Sequence, residues 1–345
     1  MRTKTMASTF ETAVQVKEYC NKIGSDSLLV QGPGGNVSWK DGDVLWVKAS
    51  GTWLAHANGL ETFIPVDLAH LRTAIVEKKF SVLPKVICAT TLKPSIETML
   101  HAVMPHKVVA HLHAVEILAH LVRENPLENL KRLIGEDVKW IFVDYHKPGA
   151  ELAEAVSAEL AKGHDADVAF LKNHGLVIGG ARVSCIEHTL CILLSRLKTK
   201  RHLFERNVKS EVLVSDFLSS NYVLTSDENL NLLATNNKLA SRLQSHWALY
   251  PDHVVFLGEK ATVINNAYDL SALENSNYRP HFIFIPGVGV YENVSAPEAH
   301  KAQLRCYYDV LARQSPFEKL TTLTIAQISE ILNWDAEKYR QSTSK

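Results

Sequence analysis

Hairpin signals set between helical segments are the feature that most constrains this fold. Asp41-Gly42 is a strong two-residue turn signal, and it lies between two runs typical of strands, residues 37–40 and 43–49. Helical patterns precede and follow this hairpin, so strands and helices do not alternate strictly. Such a mixture favours a largely antiparallel sheet over a doubly wound parallel one. We therefore expect an α/β fold, layered as in α+β proteins, with a central and mostly antiparallel sheet covered by helices.

Turn residues and hydrophobic periodicity locate the other elements. The sequence predicts helices over residues 8–23, 65–78, 94–104, 114–123, 149–162 and 183–207, and strands over 107–113, 140–143 and 167–171. After a polar stretch at 215–221, it predicts a helix over 229–247, strands at 253–257 and 281–285, and helices over 297–313 and 324–332. We expect one domain over residues 1–208 and an extension over 209–345 that packs on that domain or continues it.

Charge and cysteine content argue against several classes of protein. Basic and acidic residues number 37 each, so no net field favours a nucleic acid or an anionic membrane. The five cysteines are scattered and form no Cys-x-x-Cys pair, which does not fit a disulfide framework. No run of about 18 apolar residues predicts a membrane span, and the first residues lack the apolar core of a signal peptide. We expect a cytoplasmic protein whose partner is a small molecule, not a nucleic acid or a membrane.

A histidine pair, His111-Leu112-His113, lies in the predicted strand 107–113. Alternate side chains of a strand point to the same face, so two such imidazoles can share one metal ion. The pattern alone is weak, because 16 histidines in 345 residues produce His-x-His about 0.7 times by chance. Two histidines held by hydrogen bonds near the end of a sheet would explain the pair without any metal.

Two further residues are candidates for the same site. His174 follows the predicted strand 167–171 in an Asn-His-Gly turn, where ligand-binding side chains are often presented. Glu97 lies in the first turn of the predicted helix 94–104, where the helix dipole favours a carboxylate. A surface-loop histidine and a plain helix-start glutamate are the ordinary alternatives. Glu116 offers a competing His-x-His-x-x-Glu metal site, but the helix expected from residue 114 turns it away from the ligand face of the strand.

Five short motifs connect these candidates. They are Gly-Gly-Asn-Val-Ser at 34–38, Lys-Ala-Ser-Gly at 48–51, Pro-Ser-Ile-Glu at 94–97, the His-x-His strand, and Asn-His-Gly at 173–175. In this order they resemble the class II aldolase/adducin family over about residues 10–205. The resemblance is finer for the aldolase portion of bifunctional rhamnulose-1-phosphate aldolase/alcohol dehydrogenase proteins, where it extends to about residue 315.

The resemblance implies a role for each matched residue. His111, His113 and His174 would bind one divalent metal, Zn²⁺ or alternatively Mn²⁺ or Co²⁺, and Glu97 would be the catalytic acid/base. The substrate-binding residues would be Gly35, Asn36, Ser50, Gly51 and Ser95. Ile96 stands where several sugar-phosphate aldolases have a second hydroxyl residue. One hydrogen bond to a phosphate would therefore be missing, which weakens the case for a phosphorylated substrate.

The function that the resemblance implies is metal-dependent cleavage of a carbon–carbon bond in carbohydrate metabolism. Such a lyase, an aldolase, would cleave a ketose phosphate or a related hydroxylated keto compound through a zinc-stabilised enediolate. Decarboxylation of a keto or hydroxy acid on the same metal site is an alternative, since loss of carbon dioxide also leaves an enolate. A non-catalytic, adducin-like interaction module is another, although all three histidines and Glu97 are present. The family also implies a homo-oligomer, namely a tetramer.

Overall fold

The structure is a computed structural model that describes residues 2–59, 61–163, 165–208 and 216–343. The chain forms two compact units, residues 1–198 together with 333–344 and residues 199–332. The division into domains over 1–208 and 209–345 stays a prediction. The structure adds that the first compact unit draws on both ends of the chain.

The described part of the first unit contains a seven-stranded sheet. Its strands are β1 (Asn36–Asp41), β2 (Val44–Lys48), β3 (Phe63–Asp67), β4 (Val108–Leu112), β5 (Trp140–Val143), β6 (Val168–Leu171) and β7 (Gly175–Gly180). The strand order is β3-β2-β1-β4-β7-β6-β5, and every neighbouring pair is antiparallel except β5 with β6. The predicted hairpin joins β1 to β2, where Asp41 pairs with Val44. The mostly antiparallel sheet is therefore confirmed.

Helices cover both faces of this sheet, as predicted. They are α1 (Arg2–Gly24), α2 (Leu68–Val76), α3 (Thr98–Val103), α4 (Val115–Leu121), α5 (Pro126–Ile134), α6 (Ala150–Leu160) and α7 (Val183–Arg196), with a short 3₁₀ turn at Leu54–His56. Val108, Ala110 and Leu112 of β4 pack on one face with residues of α1, α4, α5 and α7. Val109 lies on the other face, in a core shared with α2, α3 and α6. By the two-residue repeat of a strand, His111 points to the same face as Val109.

Four helix predictions for the first unit differ from the structure, and the first of these, over 8–23, is the longer helix α1, which begins at Arg2. The start of the helix predicted over 65–78 is strand β3, because β3 is the sheet edge, where the missing N–H of Pro65 can face away from the neighbouring strand. Helix α2 begins only at Leu68, because the Asp67 side chain accepts a hydrogen bond from the N–H of His70 and caps the helix. The helix predicted over 94–104 is shorter and begins at Thr98, and the helix predicted over 183–207 ends at Arg196.

The second unit contains, in its described residues, a smaller sheet and seven helices. The strands are β8 (Tyr222–Leu224), β9 (Thr262–Val263), β10 (Phe282–Ile285) and β11 (Gly289–Asn293), in the order β8-β11-β10-β9. The helices are α8 (Asp216–Asn221), α9 (Glu228–Thr235), α10 (Asn237–Ser245), α11 (Pro251–Leu257), α12 (Ala267–Glu274), α13 (Glu298–Leu311) and α14 (Ile325–Leu332). No helix in the described part of the chain is both long and apolar enough to cross a bilayer.

Local chemistry explains where the predictions for the second unit were wrong. The segment predicted as a strand at 253–257 is part of helix α11, which has Pro251 in its first turn, a favoured position for proline. The helix predicted over 229–247 is divided at Asn236, whose side chain accepts hydrogen bonds from the N–H groups of Lys238 and Leu239 and so starts a new helix. The polar stretch at 215–221 is helical over 216–221, and residue 215 lies outside the described residues. The strand predicted at 281–285 is confirmed as β10.

The last helix, α15 (Asp335–Thr343), belongs to the first unit. The ammonium group of Lys93 lies 4.3 Å from the centre of the Tyr339 ring. Glu337 and Arg340 form a buried ion pair with a closest N–O distance of 3.3 Å. This helix therefore packs on a loop of the family-like region, although it follows that region by more than a hundred residues in the chain.

Candidate metal centre

Three histidines from two parts of the sheet converge on one buried point. Strand β4 carries His111, and His113 follows its last residue. His174 lies in the turn between β6 and β7, where Asn173 adopts a left-handed φ of 50°, which asparagine tolerates. The antiparallel pairing of β4 with β7 brings this turn beside the end of β4. The local sequence Asn-His-Gly thus presents His174 to His111 and His113 at the end of β4.

The three imidazoles are close enough to share a metal ion. One ring nitrogen from each of His111, His113 and His174 lies within 4.8 Å of the others, and all three residues are buried. The Nε2 atoms of His111 and His113 lie 3.1 Å apart. This is close to the ~3.4 Å edge of a tetrahedron with metal–nitrogen bonds of about 2.1 Å, the length typical of zinc.

The hydrogen bond of His111 fixes which nitrogen faces the cluster. Its Nδ1 lies 3.0 Å from the backbone oxygen of Leu176, and a carbonyl oxygen can only accept, so Nδ1 carries the hydrogen. The Nε2 lone pair then points at the other two rings. An outer hydrogen bond of this kind is what holds a metal-binding histidine in the correct tautomer. The donor set and the burial of these residues therefore fit a divalent metal.

Glu97 is the carboxylate beside this cluster. It immediately precedes α3, and its Oε2 lies 3.4 Å from Nε2 of His111, while its Oε1 lies 3.5 Å from Nε2 of His174. Burial by itself would raise the pKa of Glu97, but the positive charge that the nearby histidines carry when they are protonated, together with a hydrogen bond from Asn36, outweighs it and lowers the pKa to about 2. Glu97 is thus a carboxylate at neutral pH.

The structure brings most of the predicted substrate-binding residues to the same region. An isolated bridge between Ala49 and Pro94 holds the turn at 50–51 against the segment at 93–95. The N–H of Ser50 donates to the Lys93 oxygen over 2.8 Å, and the N–H of Ser95 donates to the Lys48 oxygen over 3.0 Å. The backbone N–H of Glu97 donates to Oγ of Ser95, which holds the serine hydroxyl beside the start of α3.

The other two predicted substrate-binding residues are glycines with left-handed backbones. Gly35 has a φ of 62°, and it precedes Asn36 at the start of β1. Gly51 has a φ of 80°, and a side chain there would collide with Thr343 of α15. Both positions therefore require glycine, Gly51 for space as well as for conformation.

Other candidate residues lie elsewhere. Glu116 is in the first turn of α4, as expected, and is not in the histidine cluster found among the described residues. Lys48 is buried, and its ammonium group donates to the backbone oxygen of Pro33, so it anchors the glycine-rich loop. Lys93 lies over the Tyr339 ring.

Sequence reasoning gave no role to His101 or to helix α15. His101 contacts Asn36 and Ser38 behind Glu97 and is completely buried. Its spacing of four residues from Glu97 puts both on one side of a helical turn, which is a signal that could have found it. No local signal in the sequence connects α15 to residues 50–51.

A family model matches the region that contains this centre. The model of the Class II Aldolase and Adducin N-terminal domain matches residues 14–192, which include Glu97, His111, His113 and His174. An uncharacterized oxidoreductase, YuxG of Bacillus subtilis (strain 168), is 29% identical over 190 residues, which is 50% of this chain and 27% of that protein. The match thus spans only about a quarter of the length of that relative.

The solved structures that are similar to this chain match about half of its length. The N-terminal class II aldolase domain of a conserved protein from Thermoplasma acidophilum is 28% identical with a TM-score of 0.46, covering 53% of this chain and 91% of that one. YgbL from Klebsiella pneumoniae, described as a putative aldolase/epimerase/decarboxylase, is 21% identical with a TM-score of 0.39, covering 54% and 88%.

Proposed function

The chain belongs to the Class II Aldolase and Adducin N-terminal domain family, and from this premise we propose that it is a metal-dependent aldolase. The proposed reaction cleaves a carbon–carbon bond of a ketose phosphate or a related hydroxylated keto compound. One observation carries the proposal, namely the convergence of three buried imidazoles with the ionised carboxylate of Glu97. A family member that served only as an interaction module would have no need of this buried and costly set of polar groups.

The proposed cofactor is Zn²⁺, with Mn²⁺ or Co²⁺ as alternatives, held by His111, His113 and His174. A bound divalent cation would supply Lewis-acid stabilisation of the negative charge that develops on the substrate oxygen. Three neutral imidazoles would leave the charge of the cation undiminished, and three protein ligands leave room for substrate. The hydrogen bond from His111 to the Leu176 oxygen supports this role, because it orients the ring.

Glu97 is the proposed acid/base. In the condensation direction its carboxylate removes a proton from the carbon that forms the new bond, and in the cleavage direction it returns that proton. Its Oε1 suits this role, because no donor among the described residues makes a hydrogen bond to it. Proton transfer by a positioned carboxylate contributes about 10²–10⁴-fold to a rate.

Gly35, Asn36, Ser50, Gly51 and Ser95 are the proposed substrate-binding residues. Backbone N–H groups in glycine-rich turns favour anions such as phosphate, and two hydroxyl groups lie in the same region. Ile96 supplies no second hydroxyl beside Ser95. The substrate panel must therefore include compounds without a phosphate. A homotetramer and a cytoplasmic location stay predictions from the sequence.

The test is turnover of the purified, metal-loaded protein on two sets of compounds. Ketose 1-phosphates with their unphosphorylated ketoses form one set, and keto acids form the other, with aldehyde and carbon dioxide measured as products. We expect aldehyde from a ketose derivative, one metal ion per chain by elemental analysis, and loss of turnover in Glu97→Gln by about 100-fold or more. Glu116→Gln, a change of the same kind outside the cluster, is the matched control and should keep full turnover.

Three results would contradict the proposal. Release of carbon dioxide without aldehyde would make the protein a decarboxylase. A purified protein without stoichiometric metal, even after addition of Zn²⁺, would favour the interaction module. Equal turnover of Glu97→Gln and Glu116→Gln would remove Glu97 from the chemistry.

A further inference from the structure

Four buried side chains form a hydrogen-bonded chain that ends on Glu97. Oγ of Ser38 lies 2.7 Å from Nδ1 of His101, Nε2 of His101 contacts Oδ1 of Asn36, and Nδ2 of Asn36 donates to Oε2 of Glu97 over 2.8 Å. The exposed fraction is 0% for Ser38 and His101 and 5% for Asn36 and Glu97. None of these residues is a proposed metal ligand, so the chain approaches the centre from behind the carboxylate.

The chemistry of its last member fixes the direction of every hydrogen bond in this chain. A carboxylate can only accept, so Asn36 must point its amide nitrogen at Glu97 and its amide oxygen at His101. His101 must then donate through Nε2. A neutral imidazole has one N–H, so its Nδ1 accepts and the hydroxyl of Ser38 donates. Burial lowers the pKa of His101 to about 3, so the ring is neutral at pH 7.

The fold explains why these residues meet. Strand β1 carries Asn36 and Ser38 two residues apart on one face, and its register with β4 puts Asn36 opposite His111. Glu97 and His101 are one helical turn apart at the start of α3. One strand and one helix thus supply alternate members of the chain, and both elements border the histidine cluster.

We propose that His101 is a positioning residue, which orients Glu97 through Asn36. This inference rests on the proposed role of Glu97 as the acid/base. The hydrogen bond from His101 prevents rotation of the Asn36 amide, and the amide in turn holds Oε2 of Glu97. Oε1 is then the oxygen left to move the proton. His101 touches neither the proposed metal nor the substrate, so it acts only through this contact.

Loss of the His101 donor has a specific consequence. Oδ1 of Asn36 would remain buried without the partner that fixes the orientation of the amide. The amide could then rotate, and an amide oxygen turned toward Glu97 would repel the carboxylate. The carboxylate of Glu97 is then misoriented, whereas the three histidines keep their own contacts. The effect should therefore appear in the rate of proton transfer and spare metal binding.

Three variants of the full chain separate positioning from general stability. His101→Leu removes the donor, and we expect kcat to fall by about 10- to 100-fold, the range for outer contacts at a metal site, with little change in bound metal. His101→Gln restores an N–H donor at the end of the side chain and should recover most of kcat. His120→Leu is the matched control, because His120 is another buried histidine, bonded through Nε2 to the Leu197 oxygen, and should lower stability but leave kcat unchanged.

A spectroscopic measurement tests the chain independently of turnover. In ¹⁵N-histidine NMR of the wild-type protein, with the His101 signals assigned through the variants, we expect the neutral Nε2–H tautomer at pH 7. Ser38→Ala should shift the Nδ1 resonance of His101, because it removes the hydroxyl donor.

Two results would overturn the positioning role. They are an Nδ1–H tautomer for His101, or a kcat of His101→Leu no lower than that of His120→Leu while Glu97→Gln is inactive. If Glu97→Gln itself keeps full turnover, the proposed function fails, and the tautomer still tests the hydrogen-bonded chain on its own.

Discussion

Buried histidines of the first unit divide into two groups according to what their nitrogens contact. His111, His113 and His174 face one another across a few ångströms, an arrangement that favours a bound cation. His101 and His120 instead use both nitrogens for hydrogen bonds to neighbouring polar groups. Residue type and burial do not distinguish the two groups, but the direction in which the lone pairs of the ring nitrogens point does distinguish them.

The burial of His120, a member of the second group, predicts how the stability of the fold changes at acid pH. Burial first, then the neighbouring Arg123, lowers the pKa of His120 to about 4, below the value of about 6.5 in an unfolded chain. Between these two pH values the unfolded state binds more protons, so the stability that is present above pH 6.5 is lost as the pH falls. In urea unfolding between pH 7 and pH 5, His120→Gln should therefore lose less stability than the wild type, by up to about 1.4 kcal/mol per pH unit.

An exposed histidine provides the control for this measurement. His188 lies on the surface of α7, and His188→Gln is the matched variant for comparison, because it makes the same change outside the core. A parallel loss of stability in the wild type and in His120→Gln would contradict the assignment of His120 as a buried neutral group.

Single residues of the centre could be predicted only in combination. His-x-His is close to a chance pattern, and His174 and Glu97 each have an ordinary alternative. Their order in the chain predicted that they meet, and the distances agree. The hydrogen bonds of His101 could not be predicted, because they depend on the register of β1 with β4 and on how α3 packs on that face.

At the scale of elements, the approach of β7 to β4 creates the centre. Gly175 begins β7 directly after His174, and its neighbours leave no room for a side chain. A Cβ there would lie 2.5 Å from the backbone oxygen of Leu112 and 3.0 Å from Cδ2 of His113. The glycine therefore permits the two segments that carry the proposed metal ligands to come together, which explains why the Asn-His-Gly motif has glycine at its third position.

This close approach predicts that Gly175→Ala weakens metal binding. The methyl group must push the start of β7 away from the end of β4, at a cost of about 1–3 kcal/mol, and both segments that carry the proposed ligands move with it. Competition with a chromophoric chelator should show weaker binding of Zn²⁺ than in the wild type. Gly42→Ala is the control, since Gly42 has a φ of 57° but no atom near its added Cβ, so only backbone strain results. Equal metal affinities of the two variants would contradict this account.

The elements themselves were predictable where one local signal dominates. The Asp41-Gly42 turn gives the β1–β2 hairpin, and the apolar runs give β4, β5 and β6. Strand β3 could not be predicted, because proline at residue 65 indicates a helix start unless the edge position of the strand is known. Helix α11 resembled a strand for a similar reason, since its apolar run is too short to show a helical period.

At the scale of the whole molecule, the region that matches the family model and the first compact unit do not contain the same residues. The family match ends at residue 192, but the first unit also includes residues 333–344. No local pattern in the sequence predicts that residues 333–344 join the first unit, because the contacts connect residues that are far apart in the chain. Trp334 lies against Gly149, where an added Cβ would be 3.1 Å from its ring, and its ring lies 4.9 Å from the ammonium group of Lys147.

These contacts predict that residues 333–344 stabilise loops of the first unit from a distance in sequence. In Trp334→Ala we expect a loss of about 1–3 kcal/mol of stability, since a large apolar contact and a cation–π contact both disappear. Hydrogen–deuterium exchange should become faster in peptides that cover residues 145–151 and 47–53, the loops that Trp334 and α15 contact. Phe317→Ala is the matched control, because Phe317 is 94% exposed in the second unit and should leave these peptides unchanged. Unchanged exchange in Trp334→Ala would mean that the segment rests on the unit without stabilising it.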